Sequence, residues 1–168
     1  MVAQTRPWSW FQLEAWMLDT RCARFLVVDD SRMMRRIVAS MIHDFGVGHV
    51  DQACDGTEAL GLLRRQHYDL VISDWWMEPI SGFELLLAVR MHPALAKIPF
   101  LMITAERDFG EVLNAKSAGA TDYLLKPFTA ETLNRKLGRF VSIDADELIA
   151  QVAQARRAGV NQDVDEMF

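Results

Sequence analysis

Four short apolar runs, each halted by a polar group, constrain this chain more than any other feature. Phe25-Leu26-Val27-Val28 runs into Asp29-Asp30, and Leu70-Val71-Ile72-Ser73 runs into Asp74. Pro99-Phe100-Leu101-Met102-Ile103 ends at Thr104, and Tyr123-Leu124-Leu125 ends at Lys126-Pro127. Runs this short suit strands better than helices, and a run without polar alternation is what a strand covered on both faces needs. A further strand is expected over Val47 to Ala53, although its alternation is imperfect.

Helical patterns fill the intervals. Ser31 supplies an N-cap, and Met33, Met34, Ile37, Val38, Met41 and Ile42 then recur at helical spacing until Phe45-Gly46. Asp55-Gly56-Thr57 opens a second helix carrying Ala59, Leu60, Leu62 and Leu63. After a loop with Pro79 and Gly82, a third carries Leu85, Leu86, Leu87 and Val89 and is closed by Pro93. A weaker helix is predicted from Arg107 to Ala118, stopped by Gly119, and a last one from Ala130 to Phe140. Five strand-then-helix units imply a parallel sheet with helices on both faces. Such sheets bind ligands at the carboxyl ends of their strands, near the point where strand order reverses.

Composition narrows the class. The chain has 168 residues, enough for one ordinary domain and roughly 30 to 40 residues of extension. Hydrophobic residues make up 51% and charged residues 24%, the balance of a soluble globular protein. A net charge of −5, with no block of Lys or Arg, argues against nucleic acid as a partner. Cys22 and Cys54 match neither a zinc pattern nor a disulfide framework, and both are read as small hydrophobes in a reducing cytoplasm. Glu14 and Asp19 interrupt the Trp-rich N-terminus, so neither a signal peptide nor membrane insertion is expected. His43, His49, His67 and His92 fall on separate predicted elements without metal-ligand spacing, and are read as surface or helix-end histidines.

If the strands are parallel, Asp29, Asp30, Asp74, Thr104 and Lys126 converge on one edge of the sheet. Two carboxylates ~4 Å apart repel by about 4 kcal/mol at an effective dielectric of 20, and a third adds to the strain. A hard divalent cation with oxygen ligands relieves it, and Mg²⁺ suits a site of few carboxylates plus phosphate oxygens. Such a cation screens an incoming phosphoryl donor and leaves one carboxylate free to attack phosphorus. Lys126 and Thr104 are suitable partners for the oxygens of the acyl phosphate that results. Taken singly, an Asp after a strand is usually a turn former or helix cap, and a Lys-Pro is usually a loop. Their coincidence at one end of four strands is what gives them weight.

The segments Phe25-Leu-Val-Val-Asp-Asp-Ser31, Val71-Ile-Ser-Asp-Trp75, Leu101-Met-Ile-Thr-Ala-Glu106 and Tyr123-Leu-Leu-Lys-Pro-Phe128 resemble the signature segments of response-regulator receiver domains, above all the CheY-like single-domain regulators. The similarity spans roughly residues 24 to 140. It implies a flavodoxin-like, doubly wound, five-stranded parallel sheet of order 2-1-3-4-5. It also implies that Asp74 is the phosphoacceptor, fed by a histidine kinase or phosphotransfer protein. Asp30 and Asp74 would ligate Mg²⁺ directly, Asp29 through water, and Trp76 through its backbone carbonyl. Thr104 and Tyr123 match the switch pair, Lys126 would contact the phosphoryl oxygens, and the Lys126-Pro127 bond would be cis. The downstream target would dock on the face of the fourth helix, fifth strand and fifth helix, near Phe109, Val112 and Tyr123. Output is expected to be of the chemotaxis or phosphorelay kind.

Two positions depart from the family pattern. Trp76 is bulkier than the Asn or Met often found two places after the acceptor, and its indole is expected to affect the lifetime of the phosphate. Glu106 holds the other position that commonly tunes that rate. Pro79 sits one place later than usual, which leaves the shape of its loop open. Residues 1–23 read as an aromatic-rich extension, with Met17 an alternative start, and residues 141–168 have room for one short helix before an acidic tail. The competing reading is a Mg²⁺-dependent phosphohydrolase with an Asp nucleophile, disfavoured because its Asp-x-Asp pattern after the first strand is missing. A phosphorylation-independent pseudo-receiver is disfavoured because every motif position is filled.

Overall fold

The computed structural model of the chain describes residues 20–105 and 116–141, with Val141 as backbone only. The elements, in order, are β1 (Arg24–Val28), α1 (Arg32–Phe45), β2 (His49–Ala53), α2 (Gly56–Leu63), β3 (Leu70–Asp74), α3 (Gly82–Met91), β4 (Phe100–Thr104), β5 (Asp122–Leu125) and α4 (Ala130–Val141). The strands form one parallel sheet in the order β2-β1-β3-β4-β5, the flavodoxin-like order expected. The helix predicted over 107–118 falls mostly outside the described residues, as do Glu106, Phe109, Val112 and the segments 1–19 and 142–168.

The continuous apolar runs divide between the two faces because strand side chains alternate. Leu26, Val28, Val71, Phe100 and Met102 pack with Ala59, Leu63, Leu85 and Val89 beneath α2 and α3. Phe25, Val27, Leu70, Ile72, Leu101 and Ile103 pack with Val38, Ile42, Leu133 and Leu137 beneath α1 and α4. Each fully buried Leu, Ile, Val or Phe contributes about 1.5–3 kcal/mol of transfer free energy, so both faces stabilise the sheet. The sheet edge at β2 is more exposed, which accounts for the imperfect alternation there. β2 begins at His49 rather than Val47, and Val47 is buried just before it.

Helix starts are aimed at the carboxyl edge of the sheet by local chemistry. The Ser31 hydroxyl accepts from the Met34 amide, and Asp55 accepts from the Glu58 amide. Ser81 and Glu84 form a reciprocal capping box. Gly46 ends α1 at φ 109°, a left-handed conformation that favours glycine. Neither cysteine behaves as a core hydrophobe: Cys22 and Cys54 are both free and exposed. Cys54 sits in the turn after β2, where its amide donates to Glu58, and this turn chemistry leaves its side chain outside the core.

Candidate functional site

Of the five polar groups expected at the strand ends, three are in direct contact. Lys126, just past β5, places Nζ 3.0 Å from Asp29 Oδ2 and 2.7 Å from Asp74 Oδ1. Asp29 is buried at the end of β1, Asp74 is half-buried at the end of β3, and Asp30 is exposed. Thr104 closes β4 and is buried. The strand ends are pinned by their own backbone: Trp75 N–H donates to the Ile103 carbonyl at 3.0 Å, and Lys126 N–H donates to the Thr104 carbonyl at 2.8 Å. The Lys126-Pro127 bond is cis as expected, and Glu78-Pro79 is cis as well.

The electrostatics follow from too many carboxylates in too little water. Burial pushes the Asp74 carboxyl up, and the charges of Asp29 and Asp30 push the same way; the Lys126 hydrogen bond and charge only partly offset this. Burial also works against the Lys126 ammonium, but its hydrogen bonds to Asp74 and Asp29 outweigh that and raise its pKa. Both directions express one property, an excess affinity for positive charge.

That property fits a divalent cation. The side chains that the Lys126 bridge brings together, Asp29 and Asp74, offer carboxylate oxygens, which are hard-cation donors, and Asp30 is charged close enough to act on Asp74. Among the described residues no three His, Cys, Asp or Glu side chains already close around a common point. Mg²⁺ retains several waters and binds through one or two carboxylates, so it does not require such a cage.

Thr104 and Tyr123 differ in exposure. Tyr123 is exposed on β5, and Lys136 Nζ lies 5.3 Å from its ring centroid. Lys136 also pairs with Asp122 at 2.5 Å. A groove of about 300 Å³ opens here, lined by Tyr123, Leu125, Pro127, Phe128, Thr132 and Lys136. The two tryptophans after Asp74 differ sharply. Trp75 is buried with its ring 5.4 Å from Phe83, whereas Trp76 is 61% exposed. The four histidines are all exposed, as expected.

Two contributors escape sequence reasoning. Gly82 lies so close to β3 that an added Cβ would stand 1.9 Å from the Asp74 carbonyl oxygen. Arg35 Nη1 donates to the backbone carbonyls of Asp29 at 2.6 Å and Asp30 at 3.1 Å. A faint signal exists for the second: α1 has no acidic residue in its first turn, and arginines there oppose the helix dipole unless another partner holds them.

A doubly wound parallel sheet with an acidic, lysine-bridged carboxyl edge defines a flavodoxin-like protein with its site at the strand ends. The family model for the response regulator receiver domain matches residues 25–138, and the chain belongs to that family. It is accordingly a signalling protein of the two-component type, and the phosphohydrolase reading gains no support. The chain is 40% identical over 116 residues to the chemotaxis protein CheY-3 of Vibrio cholerae, covering 69% of this chain and 89% of that one. The structure of the chemotaxis response regulator CheY4 of Vibrio cholerae superposes with TM-score 0.66 at 40% identity, covering 70% of this chain and 98% of that one. The receiver domain of a sensor histidine kinase from Pseudomonas aeruginosa, with a magnesium ion coordinated in its active site cleft, matches with TM-score 0.65 at 28% identity, covering 71% and 97%. Among the described residues no helix is long and apolar enough to cross a membrane.

Proposed function

We propose that Asp74 accepts a phosphoryl group from the phosphohistidine of a kinase or phosphotransfer protein, and that the modified domain then changes its binding to a downstream protein. The observation that carries this reading is the Lys126 bridge between Asp29 and Asp74 at the carboxyl edge. In the transfer, an Asp74 carboxylate oxygen forms the new bond to phosphorus as the donor N–P bond breaks. Asp30, Asp74 and the Trp76 carbonyl, with Asp29 acting through water, would hold Mg²⁺, which when bound would supply charge neutralisation for the phosphoryl oxygens. Lys126 exchanges a carboxylate oxygen for a phosphoryl oxygen and remains charged throughout. The Thr104 hydroxyl turns toward the same group, and Tyr123 moves inward from its exposed position. Self-catalysed transfer and hydrolysis at Asp74 are the chemistry assigned here, with Trp76 and Glu106 setting how long the phosphate lasts.

The output surface combines β5 and α4 with the helix predicted over 107–118, around the groove beside Tyr123. Likeness to chemotaxis proteins over nearly their whole length favours a chemotaxis output, in the cytoplasm, without nucleic acid or membrane insertion. Residues 24–140 form the receiver unit, flanked by extensions at 1–23 and 141–168. The test is incubation with Mg²⁺ and a small acyl-phosphate donor, followed by intact-mass measurement. The wild type is expected to gain one phosphoryl group and Asp74→Asn none. No gain in the wild type, or equal gain in the variant, removes the assignment.

A further inference from the structure

Adjacent residues on a strand point to opposite faces, so two neighbouring carboxylates can serve one site only if the backbone turns between them. Here the turn is held from both sides. On the side-chain side, the Ser31 amide donates to Asp29 Oδ1 at 2.8 Å while Lys126 takes Oδ2. On the backbone side, a single nitrogen of Arg35 donates to both the Asp29 and Asp30 carbonyls. Arg35 is half-buried, in contrast to Arg32 and Arg36 on the same helix, which are exposed. The Asp30 side chain is exposed, and its backbone carbonyl is one of the two that Arg35 holds. The Asp29 amide adds a bond to the Ala53 carbonyl at 3.3 Å, so Arg35 is the side-chain contribution to a turn that β2 also anchors.

We infer that Arg35 is a positioning residue for the divalent-cation site, fixing the Asp29-Asp30 turn so that both carboxylates face Asp74. The inference rests on the Mg²⁺ reading of this edge. It makes a prediction of definite sign, because the guanidinium is also a permanent positive charge. A cation beside a cation site weakens binding by repulsion, so removing a purely electrostatic Arg35 would tighten Mg²⁺. Removing a clamp on the ligand turn loosens it instead, by about 10- to 100-fold if it resembles other supports of metal ligands.

The experiment titrates the full chain with Mg²⁺ alone and follows tryptophan fluorescence, since Trp75 and Trp76 adjoin Asp74. Near-ultraviolet circular dichroism without Mg²⁺ checks that each variant is folded. Arg35→Ala is expected to bind Mg²⁺ at least about 10-fold more weakly than wild type. Arg35→Lys is expected to recover most of that loss, because both bonds come from one nitrogen and an ammonium has three donors. Arg36→Ala, at an exposed position one residue away, is expected to match wild type. If Arg35→Ala does not fold, Arg35→Gln takes its place, uncharged but still carrying an amide donor, with the same expected direction. Unchanged or tighter binding in the folded neutral variant overturns the inference while leaving the Mg²⁺ site intact. Absence of binding in the wild type overturns both, and the two failures are told apart by the wild-type titration.

Discussion

The Lys126 ammonium stands between two strands that are not its own, 3.0 Å from Asp29 Oδ2 at the end of β1 and 2.7 Å from Asp74 Oδ1 at the end of β3. It ties β5 to the sheet centre and also occupies the charge-deficient space between two carboxylates. Removing one partner of a buried ion pair costs about 3–5 kcal/mol, since the remaining charges lose their compensation. Lys126 is partly exposed, which places Lys126→Met at the low end, about 3 kcal/mol, in Mg²⁺-free buffer at neutral pH. On the proposed function, added Mg²⁺ would compensate the same carboxylates, so the deficit is expected to shrink. Urea unfolding with and without Mg²⁺ measures it; an equal deficit in both would show that the ion pair does not share its electrostatic role with a metal.

Gly82 controls the site through space rather than charge. Its N–H donates to the Trp75 carbonyl at 2.9 Å, drawing the start of α3 against the end of β3. The atom that a Cβ would meet is the Asp74 carbonyl oxygen at 1.9 Å, a backbone atom that cannot rotate away. Gly82→Ala is expected to cost about 1–3 kcal/mol or more by overpacking, and to shift Asp74 enough to slow the phosphorylation proposed for it. Gly61 provides the contrast, because nothing lies within 4 Å of a Cβ there. In the helix α2, Gly61→Ala is expected to stabilise by about 0.5–1 kcal/mol and leave phosphorylation unchanged. Thermal melts and a phosphorylation time course on both variants check the pair.

The tryptophans after Asp74 separate packing from chemistry. Trp75 is 4% exposed and stacked on Phe83, whereas Trp76 is largely in solvent. Trp75→Ala is expected to cost about 3–5 kcal/mol, as for other large core truncations. Trp76→Ala is expected to fall within about 0.5 kcal/mol of wild type. If the Trp76 indole shields the acyl phosphate, its removal shortens the phosphate lifetime without altering stability. Lifetime from intact-mass decay, set beside urea midpoints, checks both halves. An unchanged lifetime would assign the rate to Glu106 or to the backbone alone.

What was legible in the sequence was whatever a strand or helix expresses along its own length. Apolar runs ending at Asp29, Asp74, Thr104 and Lys126 showed the strands, and parallel pairing then forced their polar ends together. Contacts between distant segments were not legible. Arg35 looks like one of three solvent arginines until its reach to two carbonyls is seen. Gly82 was visible as a loop glycine, but not as the point where α3 meets the Asp74 backbone. Cys54 was misread because apolar character suggested the core, while the turn after β2 required its amide for the Glu58 cap. Asp51 was equally hidden: a carboxylate on an edge strand reads as solvated, yet it gathers Arg24, Gln66 and Tyr68.

That last cluster gives the protein a predictable alkaline limit. The Tyr68 hydroxyl donates to Asp51 Oδ2 at 2.9 Å, Gln66 donates to the Tyr68 oxygen, and the residue is fully buried. Burial pushes its phenol up to about 12; the Gln66 hydrogen bond is the next influence and opposes this, the Asp51 hydrogen bond and charge add to the rise, and the Arg24 charge opposes it least. A raised folded pKa means that the neutral phenol is stabilising below the unfolded value near 10, and that this stability is lost as pH rises from about 10 to about 12. A shift of about two units corresponds to about 2–3 kcal/mol. Tyr68→Phe is expected to be less stable than wild type at pH ~8, by about 1 kcal/mol for the lost hydrogen bond. Its stability should also fall less steeply between pH ~10 and ~12, because the titrating group is gone. Urea midpoints across that range test the slope, and ultraviolet difference absorbance tests the phenolate directly, since the chain has only 2 tyrosines. Identical slopes in the two proteins would mean that Tyr68 titrates in the native state as it does in the unfolded chain.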